Sequence, residues 1–393
     1  MTAPPPPASA AWREGDHPGL RLWVDLPRPL QLEGGGVLPG VRLAYQTWGR
    51  LNGARSNAVL IEHALTGHSH ATGAIRPGHP TPGWWDGMVG PGSAVDTDRF
   101  FVVCPNVLGG CQGSTGPSSP APDGRQWGSR WPLTTVADQV AAEAVLADSL
   151  GISRWAGIVG GSMGGFRALE WAVAFPERVA AVVAVACSAA ATGEQIALGA
   201  AQMLAIRADP QFAGGDYYDA PPGGGPHVGM GIARRLAHLS YRSEGELQQR
   251  FGRSPQPGER PLTGGRYAVE SYLDHHAEKL ARRFDANTYL TLTAAMNHFD
   301  IGRRRGGVAS ALSRVSAAAT VIGIDSDRLY RPWQQEELVR LLPTADRVRV
   351  VLSPYGHDGF LIERDQVGAL VRAGLTTSGQ DRVSRRVEHC PAH

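Results

Sequence analysis

The chain has 393 residues, 42% of them hydrophobic and 19% charged, with a formal net charge of +2. That length suits one large α/β domain with an inserted subdomain, and so small a net charge excludes a strong electrostatic draw towards nucleic acid or a membrane surface. No uninterrupted apolar run reaches the ~18 residues of a membrane-spanning helix, and the N-terminal stretch MTAPPPPASAAWREGD lacks the apolar core of a signal peptide. Nearly every basic residue is arginine, with Lys279 the single lysine, which reads as nucleotide composition bias rather than a binding device. Cys104, Cys111, Cys187 and Cys390 are widely spaced and form no C-x-x-C pair. That usage fits a reducing compartment, so a cytoplasmic location is expected.

Residues 1–20 form a Pro/Ala tail expected to be disordered. Val41 to Trp48 alternates and predicts an early antiparallel strand, and Asn57 to Glu62 predicts a buried one that runs into His63-Ala64-Leu65-Thr66-Gly67. Between Gly67 and Gly92 the chain is rich in Gly, Pro, His and Trp. His63, His68, His70 and His79 lack helical zinc spacing and no acid or Cys completes a set, so no metal site is expected. Trp84 and Trp85 read as packing residues or a pocket wall. Phe100 to Cys104 is a further strand. The glycines of residues 106–117 follow neither the G-K-[ST] nor the G-x-G-x-x-G order, which leaves a loop at the mouth of a site rather than a phosphate cradle. A helix is predicted from Thr134 to Leu150, capped by Thr134 or Thr135.

Trp155 to Val159 predicts a buried strand, and Gly165 to Phe175 a helix with Phe166, Leu169, Ala172 and Val173 on one face. Between them lies Gly160-Gly161-Ser162-Met163-Gly164, a G-x-S-x-G pattern in the strand–turn–helix context of a nucleophile elbow. A serine on so sharp a turn sits in strained dihedrals, and side chains at Gly160 or Gly164 would collide with neighbouring backbone. Ser162 is therefore the candidate nucleophile, with the Met163 backbone N–H as one oxyanion donor. The loop after the Asn57–Glu62 strand supplies the second, assigned to the N–H of Leu65.

After the strand at Val179 to Cys187, residues 188–315 show amphipathic stretches separated by Gly/Pro breaks, which predicts an inserted helical lid. The sheet resumes at Ala319 to Ile324, followed by Asp325-Ser326-Asp327, a helix at Pro332 to Leu342 and a last strand at Val348 to Leu352. That strand delivers Tyr355-Gly356-His357-Asp358-Gly359, and a final helix runs from about Leu361 to Leu375. The chain thus divides into a core of residues 21–187 and 316–375, the lid of 188–315, and a polar tail of 376–393. The order serine, acid, histidine, with acid and histidine just past strand ends, predicts a triad. His357 is the base. Asp325 and Asp327 compete to orient it, and Asp327 is preferred because Asp325 lies closer to the strand end. The expected fold is α/β-hydrolase: a mostly parallel central sheet flanked by helices.

Longer stretches carry a resemblance. LAYQTWG (43–49), HALTG (63–67), GWWD (83–86), VLGGCQGSTGPSS (107–119), GGSMGG (160–165), GDYY (215–218), ARRLAHLSYR (233–242), GGRYAVESYLDH (264–275), SDRLY (326–330) and YGHDGF (355–360) together resemble the homoserine O-acetyltransferases. The resemblance spans the lid as well as the core. It implies a ping-pong acyltransferase of methionine biosynthesis, acetylated on Ser162, with acetyl-CoA as cosubstrate and no other cofactor. It implies that Arg234 grips the homoserine carboxylate, that Asp358 holds its ammonium group, and that Tyr241 lies in the same pocket. It also implies a homodimer formed through the lid. The chain departs from the pattern at His68, where an acid is expected in many relatives, and in the PPGGGP break of the lid. Succinyl-CoA as donor and serine as acceptor remain alternatives on the same fold, and a carboxylic-ester hydrolase is a third.

Overall fold

A computed structural model describes residues 4–376. Among the described residues the central sheet has eight strands: β1 (Leu22–Asp25), β2 (Arg42–Trp48), β3 (Ala58–Glu62), β4 (Phe101–Pro105), β5 (Gly157–Gly161), β6 (Ala181–Val185), β7 (Ala318–Ile324) and β8 (Val348–Val351). Their spatial order is β1-β2-β4-β3-β5-β6-β7-β8. β2 runs antiparallel to both β1 and β4, and every later pairing is parallel. β3, β5, β6 and β7 are buried along their whole length, which is why they read as continuous apolar runs rather than alternating ones.

Helices cover both faces. On one, α1 (Val136–Ser149), α2 (Met163–Ala174) and the later α9 (Pro332–Leu341) pack Val140, Leu146, Phe166, Leu169 and Leu338 onto the sheet. α1 begins at a capping box: Thr135 accepts from the Asp138 N–H, and the Asp138 carboxylate accepts from the Thr135 N–H. On the other face, the last helix, α10 (Arg364–Thr376), places Val367, Val371 and Leu375 against Ile61, Val159 and Val183. The cap lies between β6 and β7. It comprises α3 (Gly193–Arg207), α4 (His227–Tyr241), α5 (Glu244–Arg250), α6 (Ala268–Ala281) and α7 (Ala286–Asn297), with the short α8 (Val308–Leu312) leading back to the sheet. Leu65, Val107, Cys111 and Met163 of the core form one apolar cluster with Ile206, Met230, Leu280 and Tyr289 of the cap. The two parts therefore meet in part over an apolar contact.

Several expectations shift. The strand expected at 155–159 lies at Gly157–Gly161, because Gly160 and Gly161 pair with Ala184 and Val185 and carry the ladder up to the serine. Residues 106–117 do not form the mouth of a site: Val107, Leu108 and Cys111 are fully buried, and the Val107 N–H donates to His63 Nε2 at 3.1 Å. β1 and α5 carried too few residues for periodicity to reveal them.

The disordered tail expected at residues 1–20 is corrected over 4–20. Ser9 Oγ donates to Asp285 Oδ1 at 2.7 Å, the Trp12 N–H to the Cys111 carbonyl at 2.9 Å, and Arg13 to the Tyr218 carbonyl at 2.7 Å. Arg282 of the cap donates to the Pro4 carbonyl at 2.7 Å. Proline fixes φ and lowers the entropy lost on ordering, so a Pro-rich segment becomes a strap where partners exist. The polar tail expected at 376–393 lies, beyond Thr376, outside the described residues.

Candidate active site

The turn after β5 is built from what its glycines allow. Ser162 has φ 57° and ψ −123°, a region that costs a non-glycine residue roughly 1–3 kcal/mol. It is held there by its N–H donating to the Val185 carbonyl at 2.9 Å and its carbonyl accepting from the Gly165 N–H at 2.8 Å. A Cβ at Gly160 would stand 2.0 Å from the Gly164 carbonyl oxygen, and one at Gly164 would stand 2.1 Å from that of Glu62. Only glycine permits strand and helix to approach so closely.

His357 and Asp327 meet from two different loops. His357 Nδ1 donates to Asp327 Oδ2 at 2.7 Å, and both residues are buried. The other carboxylate oxygen, Oδ1, accepts from the N–H groups of Leu329 (2.8 Å) and Tyr330 (2.9 Å), which fixes its orientation. Asp325 instead accepts from the Ser353 N–H at 2.9 Å and braces the loop that carries the histidine. Burial alone would push the His357 pKa down, but the Asp327 carboxylate outweighs it and holds the imidazole above its ordinary value.

Leu65 and Met163 reach the site by main-chain geometry. Met163 opens α2, so its N–H is one of those a helix leaves unpaired. Leu65 lies in a turn closed by the Gly67 N–H donating to the Ala64 carbonyl at 2.8 Å, and its own N–H meets no acceptor among the described residues. Below it sits a buried charge cluster. Arg167 NH1 is 2.6 Å from Glu62 Oε2 and 2.8 Å from Glu143 Oε1, and Arg167 NH2 donates to the His63 carbonyl at 2.7 Å. Burial and the neighbouring Glu143 raise the Glu62 pKa well above the usual carboxylate range, against the pull of Arg167.

Ser162 and His357 line one wall of a cavity of about 580 Å³ that lies between the core and the cap. Arg234 and Tyr241 of α4 face it, as does Asp358, so the structure brings the expected substrate-binding residues into the same space as the triad. The Arg234 guanidinium stacks 5.5 Å from the Tyr241 ring centroid, and its Nε is buried without a hydrogen-bonding partner. Burial raises the Asp358 pKa, although His357, Arg234 and Arg242 act in the opposite direction. His238 and His276 also line the cavity, and Lys279, Arg283 and Arg364 join Arg234 to make it cationic overall. The His238 and His276 rings stack 3.9 Å apart, and burial pushes their pKa values down to about 2 and about 4, so both are neutral near pH 7.

The α/β-hydrolase fold model matches residues 57–363. The chain is 62% identical to a homoserine O-acetyltransferase of Thermobifida fusca (strain YX), over 94% of this chain and 98% of that one. The chain belongs to the homoserine O-acetyltransferase family. Among solved structures it resembles a homoserine O-acetyltransferase from Bacillus anthracis, with a TM-score of 0.83 and 26% identity over 91% of this chain and 98% of that one. It is almost as close to esterase E22, with a TM-score of 0.81 and 26% identity over 90% of this chain and 99% of that one. The homoserine O-acetyltransferase family therefore shares its architecture with hydrolases, and the fold alone does not select the acyl acceptor.

Two residues that line the cavity, His276 and Arg283, and Tyr330 beside the triad were not singled out from the sequence. Tyr330 sits with its ring 5.1 Å from that of His357 and its hydroxyl beside the Ser162 side chain. His276 and Arg283 come from the cap. Tyr330 ends the SDRLY stretch three residues after Asp327, which was the available signal. His276 and Arg283 lie on or just after a helix whose facing depends on the packing of α4 against α6.

Proposed function

We propose that this chain transfers an acetyl group from acetyl-CoA to the hydroxyl of L-homoserine through an acetyl-Ser162 intermediate. The observation that carries the reading is the meeting, in one cavity, of Ser162 and the Asp327-bound His357 with Arg234, a guanidinium that makes no ion pair among the described residues, and the Asp358 carboxylate. An amino-acid acceptor needs one cation and one anion. A simple ester needs neither.

In the first half-reaction Ser162 Oγ attacks the thioester carbonyl while His357 Nε2 takes its proton. Negative charge develops on the carbonyl oxygen and is met by the N–H groups of Leu65 and Met163. Collapse expels the CoA thiolate, which recovers the proton from His357. In the second, the Arg234 guanidinium holds the homoserine carboxylate and Asp358 its ammonium group. His357 then removes the hydroxyl proton, the oxygen attacks the acetyl-enzyme, and Ser162 is released with that proton. Asp327 keeps the Nε2 lone pair aimed at Ser162 throughout. The cationic wall with Lys279 and Arg364 suits a phosphate-bearing donor. No cofactor beyond acetyl-CoA is invoked. The apolar contact between core and cap supports transfer over hydrolysis, because water kept from the acyl-enzyme leaves it to the amino acid.

The active unit in this reading is a homodimer formed through the cap. Leu204 of α3 is 67% exposed, and Val228, Ile232 and Leu239 form an exposed apolar face of α4 at helical spacing. Val228→Asp should yield a monomer by sedimentation, and an unchanged dimer would move the interface elsewhere. Cys104, Cys111 and Cys187 are free and buried, which supports a cytoplasmic location. No helix among the described residues is long and apolar enough to cross a membrane.

The test is CoA release, read with a thiol reagent, from acetyl-CoA or succinyl-CoA crossed with homoserine, serine or water alone. Fast release with acetyl-CoA and homoserine together is expected. Fast release with the other donor or acceptor would reassign the substrates. Equal release in water alone would make the protein a hydrolase, as the likeness to esterase E22 allows.

A further inference from the structure

The loop that carries Leu65 is gripped from two sides by guanidinium groups. From below, Arg167 NH2 donates to the His63 carbonyl at 2.7 Å. From above, Arg283 NH1 donates to the Thr66 carbonyl at 3.0 Å and Arg283 NH2 approaches Thr66 Oγ1 at 3.3 Å. Leu65 lies between the two anchored residues. The anchors differ in origin. Arg167 belongs to α2, the helix that follows the nucleophile, and is neutralised by Glu62 and Glu143. Arg283 belongs to the turn after α6, in the cap.

Like Arg21, Arg283 spends its donors on neutral oxygens. It is paired with no carboxylate among the described residues. Burial and the nearby Arg234 lower its pKa to about 10, so it stays charged near neutrality at a cost. A cation kept without a counter-ion, and spent on two oxygens of one residue, fixes that residue's position. The α6–α7 turn is itself tied down: Asp285 caps α7 through the Thr288 N–H and accepts from Tyr217, Tyr218 and Ser9.

We propose that Arg283 is a positioning residue that couples the seating of the cap to the alignment of the Leu65 N–H. With the cap seated, Thr66 is held and the donor points at the place where the oxyanion forms. With Arg283 absent or displaced, the loop keeps only its lower anchor, and the first acyl-transfer step slows. Charge on the reacting oxygen is then met by one fixed donor instead of two. The inference rests on the reading of Leu65 as an oxyanion donor.

The test uses Arg283→Met, which keeps the length and packing of the side chain and removes its donors, with Arg283→Gln as the alternative should the first fail to fold. Melting temperature identifies a folded variant. In it, kcat and the rate of Ser162 labelling by a fluorophosphonate, which uses the same donors, should both fall about 10- to 100-fold, the scale of a small misplacement at a reacting centre. KM for homoserine should change less than about threefold. Arg283→Lys should recover part of the labelling rate through a single bond to the Thr66 carbonyl. A raised KM for homoserine with kcat retained would overturn the proposal and make Arg283 a second carboxylate ligand. Unchanged labelling and turnover would overturn it outright. The wild-type protein separates this inference from the one beneath it: if wild type transfers acetyl and Arg283→Met matches it, only the coupling fails, whereas a wild type without transfer removes both.

Discussion

The two walls of the cavity are made in opposite ways. On the core side, Ser162 and the neighbouring Leu65 and Met163 are placed by main-chain geometry that only particular neighbours permit: positive φ at Ser162, and no Cβ at Gly160 or Gly164. On the cap side, Arg234 and Tyr241 are long side chains on a regular helix, α4, with nothing strained beneath them. Strain held by a packed sheet fixes atoms closely, which bond-making needs. A helix surface can exchange side chains at little cost to its backbone, which suits the choice of acceptor. The likeness of one architecture to both a homoserine O-acetyltransferase and an esterase fits this division.

That contrast is open to being broken. Its strongest form is that core-side changes remove chemistry whatever the substrate. Ser162→Ala should lower kcat by about 10⁶-fold and abolish fluorophosphonate labelling, while acetyl-CoA still binds by calorimetry. Asp327→Asn should cost on the order of 10⁴-fold by leaving His357 in the wrong tautomer, whereas Asp325→Asn should cost far less. Comparable losses in the two asparagine variants would erase the distinction between them. Arg167→Met should leave Glu62 and Glu143 uncompensated and lower stability by about 3–5 kcal/mol, read from the urea midpoint. A cap-side change should behave otherwise. Arg234→Ala should raise KM for homoserine on the order of 10²-fold with little effect on that for acetyl-CoA, and equal effects on both substrates would remove its assigned role. The smallest effect concerns pH. His357 is held above its ordinary value by Asp327, and the reaction needs the neutral imidazole. As pH falls through that raised pKa the base is lost, so kcat/KM for acetyl-CoA should decline on the acid side with a midpoint above about 6.5. A midpoint below that value would mean that burial, not Asp327, dominates at the histidine.

Legibility in the sequence follows the same division. The G-x-S-x-G turn needs glycine at fixed offsets, so Ser162 and Met163 could be read from spacing. The parallel strands are buried on both faces and announce themselves as apolar runs. Arg234, Tyr241 and Asp358 were legible only through the resemblance, since a charged residue on a helix looks the same whether it faces solvent or a cavity. The Asp325 or Asp327 alternative illustrates the limit. Two acids lie two residues apart, and only the direction of the loop after β7 decides which one meets His357 and which braces Ser353.

By itself the sequence determined the local conformations: the order of strands and helices, the elbow at Ser162, and the presence of serine, acid and histidine in workable order. Those depend on residue type and short spacing, which are written in the chain. The tertiary structure alone decided what long-range packing brings together. It turned the Pro-rich segment from an expected loose tail into a strap across cap and core, and it buried most of residues 106–117 instead of placing them at a mouth. It set Arg283 on Thr66, 217 residues away along the chain. Contacts at such separations leave no periodic trace in sequence, because their geometry is fixed by how whole elements pack and not by the propensity of either residue.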